Sequence, residues 1–306
     1  METTSPARAR EIVQPQNSRH TPLVSVLIAC KNRPQAIARL MQSVRRQNYP
    51  ALEFIVVDDG SEPPIPQTAD AHHVRLERSR GACTARNLGL TQARGEYALL
   101  LDDDTTIDEV DTITRAVLLA GQDPRLGAVA FLQLMPDGQL HYLQPSYQSS
   151  PSRIARFFSY GCLLRTSALH EVGGFEAHFG YYYEEIEMSL RLLDAGYTIL
   201  CDPSLKVVHY EDGLGRDYRR INRLLLRNSI FTALLRYPAW CVVPGLLVHV
   251  YRFSRTTWIS RIRDWRGAFW AASQVLKSLR WLHRERKPIR YSTLRLVRRL
   301  TRYPAT

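Results

Sequence analysis

Three consecutive carboxylates, Asp102-Asp103-Asp104, close the apolar run Tyr97-Ala98-Leu99-Leu100-Leu101. Carboxylates packed this closely repel one another, and a hard cation that neutralises them makes the cluster stable. Mg2+ or Mn2+ bound through one or two carboxylates plus a diphosphate suits such a run. An aspartate run after a strand also serves as a helix N-cap, and Thr105 and Asp108 follow closely, so the run alone leaves both readings open. Two other apolar runs end in polar clusters: residues 24–29 in Lys31-Asn32-Arg33, and residues 54–57 in Asp58-Asp59. Further on, Glu184-Glu185 and Glu187 open a helical pattern. They offer a general base, or they favour the positive end of a helix dipole. His209 ends a late strand-like piece.

The elements that must position these residues alternate in type. Strands are expected over 24–29, 54–57, 97–101, 127–134 and 160–164, with shorter pieces at 197–200 and 206–209. Helices are expected over 35–47, 82–93, 108–120, 167–172 and 184–195. The first follows Pro34 and places Ile37, Leu40, Met41 and Val44 at helical spacing; the last is closed by Gly196. The Pro-rich 62–66 reads as a loop. Residues 135–158, rich in Pro, Ser and Gln, read as an active-site loop or an acceptor-binding insert. Strands alternating with helices imply an α/β fold with a mostly parallel central sheet flanked by helices. In such sheets ligands bind beyond the carboxyl ends of the strands, where the three polar clusters lie.

The formal net charge of the 306 residues is +12, and it is unevenly placed. From Arg216 onward 21 lysines and arginines face three acids, a surplus of 18, which leaves −6 for residues 1–215. Such a basic end calls for an anionic partner. Residues 237–251 are apolar but short of the roughly 20 needed to span a bilayer. Residues 253–282 read as one amphipathic helix, with Trp258, Ile262, Trp265 and Phe269 on one side and Arg261, Arg263 and Arg266 on others. This pattern suits a segment lying on an anionic membrane surface; the alternative is a stripe packed on the rest of the protein. No nucleic-acid motif is present, and carboxylate-rich strand ends disfavour phosphodiesters, so no nucleic-acid partner is expected. The five cysteines are scattered without metal or CxxC spacing, as in a reduced, cytoplasmic protein. Residues 1–20 are polar and expected to be disordered.

The ordered segments VSVLIACKNRP, FIVVDDGS, GACTARNLG, GEYALLLDDD, GGF, YYEEIEMSLRLLDAGY and VVHYEDG resemble glycosyltransferase family 2, from about Leu23 to Gly213. The resemblance implies the GT-A fold of nucleotide-diphospho-sugar transferases, with a catalytic domain over 21–214 and a basic amphipathic helical extension over 215–306. It implies inverting transfer of a hexose or deoxyhexose from a nucleotide-diphosphate sugar to a hydroxyl of a glycan or lipid-linked saccharide. The site would lie at the inner face of the cell membrane. Ala29, Asn32 and Arg33 then border the nucleotide, Asp58 and Asp59 meet its base, and Arg86 approaches the diphosphate. Asp102-Asp103-Asp104 matches the family's DXD motif: Asp104 holds Mn2+ or Mg2+, Asp102 contacts the ribose or the metal shell, and Asp103 is the middle residue. His209 matches a histidine that closes the metal site. Glu184-Glu185 stands where the family carries Glu-Asp, so Glu185 is the candidate catalytic base and Glu184 the alternative. A nucleotidyltransferase would share the carboxylates but lacks a Gly-rich, basic loop after the first strand. A catalytically inactive binding module is disfavoured by intact Asp102, Asp104, Glu185 and His209.

Overall fold

A computed structural model of the chain describes residues 21–141, 150–210, 217–259 and 264–302. The polar start, part of the 135–158 insert, Glu211-Asp212-Gly213 and the run Arg261-Ile262-Arg263 lie outside the described residues.

The chain enters through β1 (Val24–Cys30), whose alternating side chains feed two cores. Val24, Val26 and Ile28 face one core and Leu27 the other. α1 (Pro34–Arg45) follows; Pro34 stands where a missing N–H costs nothing, and Ile37, Leu40, Met41 and Val44 are buried. β2 (Leu52–Asp58) pairs parallel to β1, setting Cys30 opposite Asp58. β3 (Ala71–Arg75) pairs parallel to β2 at the sheet edge. Its sequence, AHHVR, has no apolar alternation, so periodicity does not reveal it. After α2 (Ala82–Gln92), β4 (Tyr97–Asp102) pairs on the other side of β1, setting Asp102 opposite Ala29.

Then come β5 (Thr105–Thr106), α3 (Thr112–Gln122), β6 (Leu126–Leu134), β7 (Ser152–Arg153), β8 (Gly161–Arg165), α4 (Thr166–Val172), α5 (Glu184–Asp194) and β9 (Thr198–His209). The sheet order is β3-β2-β1-β4-β8-β6-β9-β5, with β7 on β9. β8, β5 and β7 run against the other six strands. The helix expected from 108 begins at Thr112, because Thr105 and Thr106 are drawn into the ladder with His209 and Val208. The two pieces expected at 197–200 and 206–209 are one strand. Its register against β6 shifts between Ala130 and Leu132, beside Asp202-Pro203-Ser204, where proline cannot donate to the ladder.

Five helices complete the described chain: α6 (Tyr218–Arg236), α7 (Ala239–Ile259), α8 (Trp265–Lys277), α9 (Leu279–Glu285) and α10 (Tyr291–Arg302). The single amphipathic helix expected over 253–282 is therefore divided among α7, α8 and α9. Asp264 starts α8 afresh: its carboxylate accepts from the Gly267 N–H at 3.1 Å and binds Arg223 Nε at 2.6 Å. Periodicity continues across such a break, so it does not betray the cap. Among the described residues no helix is long and apolar enough to cross a membrane.

α1 and α3 cover the core on one sheet face. The other is covered by α2, α4 and α5, and also by Phe231 and Leu235 of α6, Trp281 and Leu282 of α9, and Leu300 of α10. At roughly 1.5–3 kcal/mol per large apolar side chain buried, these helices are a structural wall of the sheet.

Candidate active site

The register of β2, β1 and β4 carries Asp58, Cys30 and Asp102 to neighbouring positions at one edge of the sheet. The loops that leave these strand ends are tied to one another. Asp58 is buried; Oδ1 accepts from the Ser61 N–H at 2.8 Å and Oδ2 from Arg75 Nη1 at 2.5 Å. Burial pushes this carboxyl upward, but the hydrogen bonds from Ser61, Ile65 and Arg75 outweigh it and hold it below the usual range. Asp59 accepts from Ser79 Oγ at 2.7 Å and from the N–H groups of Arg80 at 2.6 Å and Gly81 at 2.9 Å, fixing the entry to α2. Asn32, at φ +57°, donates its N–H to Ser61 Oγ and accepts from the Glu62 N–H. Gly60 makes the tight turn between: at φ +70°, a Cβ there would lie 2.7 Å from the Ser79 nitrogen.

Asp103 and Asp104 share one partner, and Asp102 faces another. Arg33 Nη1 donates to Asp103 Oδ1 at 2.9 Å and to Asp104 Oδ2 at 2.7 Å. The other oxygen of Asp104 is 2.9 Å from His209 Nε2. His209 arrives there because β9 sets it opposite Thr105, the residue after Asp104, and its Nδ1 contacts the Gln133 amide. Burial, together with Asp104 and Asp102, raises Asp103 to about 6 despite Arg33. Burial also acts to raise Asp104, but the His209 hydrogen bond and Arg33 prevail and hold it low. Asp104 thus stays charged and offers a hard oxygen that suits Mg2+ or Mn2+, while the imidazole nitrogen beside it is a softer, borderline donor. Among the described residues no group of three His, Cys, Asp or Glu side chains forms a ready cage. An ion held by a pair such as Asp104 and His209 needs further oxygens from a ligand, which is how Mg2+ commonly sits on phosphates.

Behind the aspartates lies a buried guanidinium. Arg86 Nη1 donates to Glu184 Oε1 at 2.7 Å, and Nη2 to Asp102 Oδ1 at 3.0 Å and Ser159 Oγ at 2.7 Å. Ser159 Oγ in turn lies 2.8 Å from Glu185 Oε1. Glu184 is buried, and its Oε2 has no partner among the described residues. Burial first, and the charge of Glu185 second, push Glu184 up to about 8 against the pull of Arg86. Burial likewise raises Asp102, which Arg86 opposes. Glu185 is half-buried and turns toward the same centre. Glu187 points the other way, into a buried pair with Arg191 at 2.6 Å and Arg236 at 2.6 Å. Arg86 thus binds two acids, Asp102 and Glu184, inside the protein.

The glutamates are aimed by an unusual turn. Tyr182 and Tyr183 precede α5 at φ +69° and +73°, the left-handed region that bulky residues avoid. Asn228 of α6 holds the turn: its Nδ2 donates toward the carbonyls of Phe179 at 3.1 Å, Tyr181 at 3.0 Å and Tyr182 at 2.6 Å. Arg227 adds a bond to the Phe179 carbonyl at 2.6 Å.

Ala29, Asn32, Arg33, Asp58, Asp59, Arg86, Asp102–Asp104, Glu184, Glu185 and His209 lie at one end of the sheet, whereas Glu187 turns away to Arg191 and Arg236. Ser159, Gln133, Arg75 and Asn228 were not foreseen. Each meets its partner across a long stretch of chain, and none sits in a motif.

Known proteins can be set beside this arrangement. The profile of glycosyl transferase family 2 matches residues 25–175. Residues 25–175 form a glycosyl transferase family 2 domain. The O-antigen biosynthesis protein RfbC of Myxococcus xanthus is 26% identical over 247 residues, which is 70% of this chain and 19% of that protein. This chain thus spans about a fifth of that relative. Solved structures share the fold around the family 2 domain. TarS of S. aureus in complex with UDP-GlcNAc aligns with a TM-score of 0.60 at 18% identity, over 80% of this chain and 77% of that one. Mannosyltransferase PcManGT of Pyrobaculum calidifontis, in complex with GDP-Man and Mn2+, aligns with a TM-score of 0.54 at 16% identity, over 93% and 85%. The family 2 domain therefore has the GT-A fold, extended here by the C-terminal helices.

Proposed function

We propose that the protein is an inverting, metal-assisted glycosyltransferase. It moves a hexose or deoxyhexose from a nucleotide-diphosphate sugar to a hydroxyl of a glycan or lipid-linked saccharide. It works peripherally at the inner face of the cell membrane, in the assembly of envelope polysaccharide. The observation that carries this reading is the pairing of a charged Asp104–His209 site with a half-exposed Glu185 at the same end of the sheet. A relative named as an O-antigen biosynthesis protein, and solved structures in complex with UDP-GlcNAc or with GDP-Man and Mn2+, support it.

Asp104 and His209, with Asp102 beside them, would hold Mn2+ or Mg2+ against the donor. Such an ion neutralises charge that develops on the departing nucleoside diphosphate. Ala29, Asn32, Arg33, Asp58 and Asp59 shape the pocket for the nucleotide, and Asp103 tethers Arg33. Glu185 accepts the proton of the acceptor hydroxyl as its oxygen attacks the anomeric carbon. The bond from that carbon to the diphosphate oxygen breaks, and its electron pair leaves with the diphosphate. Attack from the far side inverts the configuration. Ser159 orients Glu185, and Arg86 keeps Asp102 and Glu184 fixed behind it. Glu185 is one methylene longer than the aspartate the family usually carries, with the same proton chemistry.

The test is a donor screen on purified protein, with UDP-, dTDP- and GDP-sugars, Mn2+ or Mg2+, and chelator. Metal-dependent release of one nucleoside diphosphate is expected. An absence of release with every donor, both alone and with membrane lipid extract supplied as acceptor, would overturn the reading.

A further inference from the structure

α7 and α8 bury one side each and leave the other bare. Phe253 of α7, Ala271 of α8 and Leu226 of α6 make a small core between the three helices. Opposite the buried His249 and Phe253, the residues Trp240, Leu247, Tyr251 and Trp258 recur at steps of seven, four and seven. They form one line down α7, about 27 Å long at ~1.5 Å per residue. Trp265 and Phe269 stand on the bare side of α8, opposite Gly267 and Ala271. Exposure is 78% for Trp258 and 79% for Phe269. Aromatic groups of this size, left in water over two helices, mark an interaction surface.

Charge decides which partner fits. Arg252, Arg255 and Arg266 border the stripes, and neither helix contains an aspartate or glutamate. A second copy of the chain, related by two-fold symmetry, would bring these arginines against their own equivalents. An anionic headgroup layer neutralises them, while Trp and Tyr rings settle at the boundary between headgroups and acyl chains. Since neither helix is apolar enough to cross a bilayer, each lies in its plane.

The buried side of α7 reaches the catalytic end. The ring of His249 stands edge-on to that of Tyr183, with centroids 6.1 Å apart, and Tyr183 directly precedes Glu184-Glu185. We infer that the bare α7–α8 face docks in the plane of an anionic bilayer and so sets the Tyr183 turn, with the base behind it, beside the headgroups. A lipid-linked acceptor would present its hydroxyl there; that clause rests on the function proposed above, whereas docking does not.

The test uses the full chain and vesicles of phosphatidylcholine, alone or mixed with phosphatidylglycerol. Co-sedimentation is expected with the anionic vesicles, weakened by salt and near absent with phosphatidylcholine alone. Brominated acyl chains are expected to quench the tryptophan fluorescence of the wild type, a measurement that requires no variant. The double variant Trp258→Glu/Phe269→Glu is expected to bind about tenfold or more weakly, while its donor hydrolysis in solution is unchanged. Equal binding to both vesicle types, or absence of quenching, overturns the inference. So does self-association in analytical ultracentrifugation that the double variant abolishes, which would make a second copy the occupant. Failure of the wild type to bind anionic vesicles, with its donor hydrolysis intact, sinks docking alone. Vesicle binding without donor hydrolysis sinks the catalytic reading alone.

Discussion

Glu184 and Glu185 are neighbours in the chain, yet their carboxylates meet opposite environments. Glu184 is buried 2.7 Å from Arg86, and Glu185 is half-buried 2.8 Å from Ser159. A base must reach its substrate, so the two should separate in kinetics. Glu185→Gln is expected to lower kcat for sugar transfer by about a hundredfold or more, with donor KM little changed. Glu184→Gln is expected to be milder. Steady-state rates at saturating acceptor check this, and the reverse order of effects would move the base to Glu184.

Glu184 also makes a prediction about pH. Its carboxyl lies at about 8 in the folded protein, raised from the ordinary carboxylate range by burial and by Glu185. The folded state therefore holds this proton more tightly than the unfolded state does. The corresponding stability is complete below the ordinary carboxylate range and is lost as pH rises toward and through about 8. Melting temperatures measured across that window should fall for the wild type relative to Glu184→Gln. Parallel curves for the two proteins would show that Glu184 titrates normally.

The metal reading depends on the contact of Asp104 with His209 of β9, at 2.9 Å. Asp104→Asn is expected to abolish metal-dependent donor turnover, and His209→Ala to raise the Mn2+ concentration needed for half-maximal rate. Titration of activity with Mn2+ reads both effects. Full activity of Asp104→Asn would remove Asp104 from metal binding.

Asn228 holds three carbonyls of a turn that keeps two tyrosines at positive φ. Asn228→Ala removes those donors and is expected to cost about 1–3 kcal/mol in chemical denaturation. Because the turn aims Glu185, kcat should fall more than donor KM changes. A stable variant with unaltered kcat would make the clamp structural only.

The apolar runs and the polar clusters that end them were legible in the sequence, because strand periodicity and charge are local. The meeting of Asp58, Cys30 and Asp102 at one edge followed from parallel pairing alone. Glu184 and Glu185 were legible as a pair, but not the burial that divides them, since that depends on Arg86, some hundred residues away. β3 was missed because an edge strand needs no apolar alternation, and the breaks within 253–282 were missed because helical periodicity runs through a cap. Ser159 and Asn228 sit in sequence without any spacing signal; only the tertiary contacts give them a role.

The helices from Tyr218 onward complete one core and grip the turn that precedes Glu184 and Glu185. They are therefore not a module to be exchanged. A chimera that joined this sheet to another protein's C-terminal segment would retain every strand-end motif and still lose its aim. Any redesign that grafts a new acceptor preference through the tail has to carry Asn228 and Arg236 with it, along with the apolar faces that seat them.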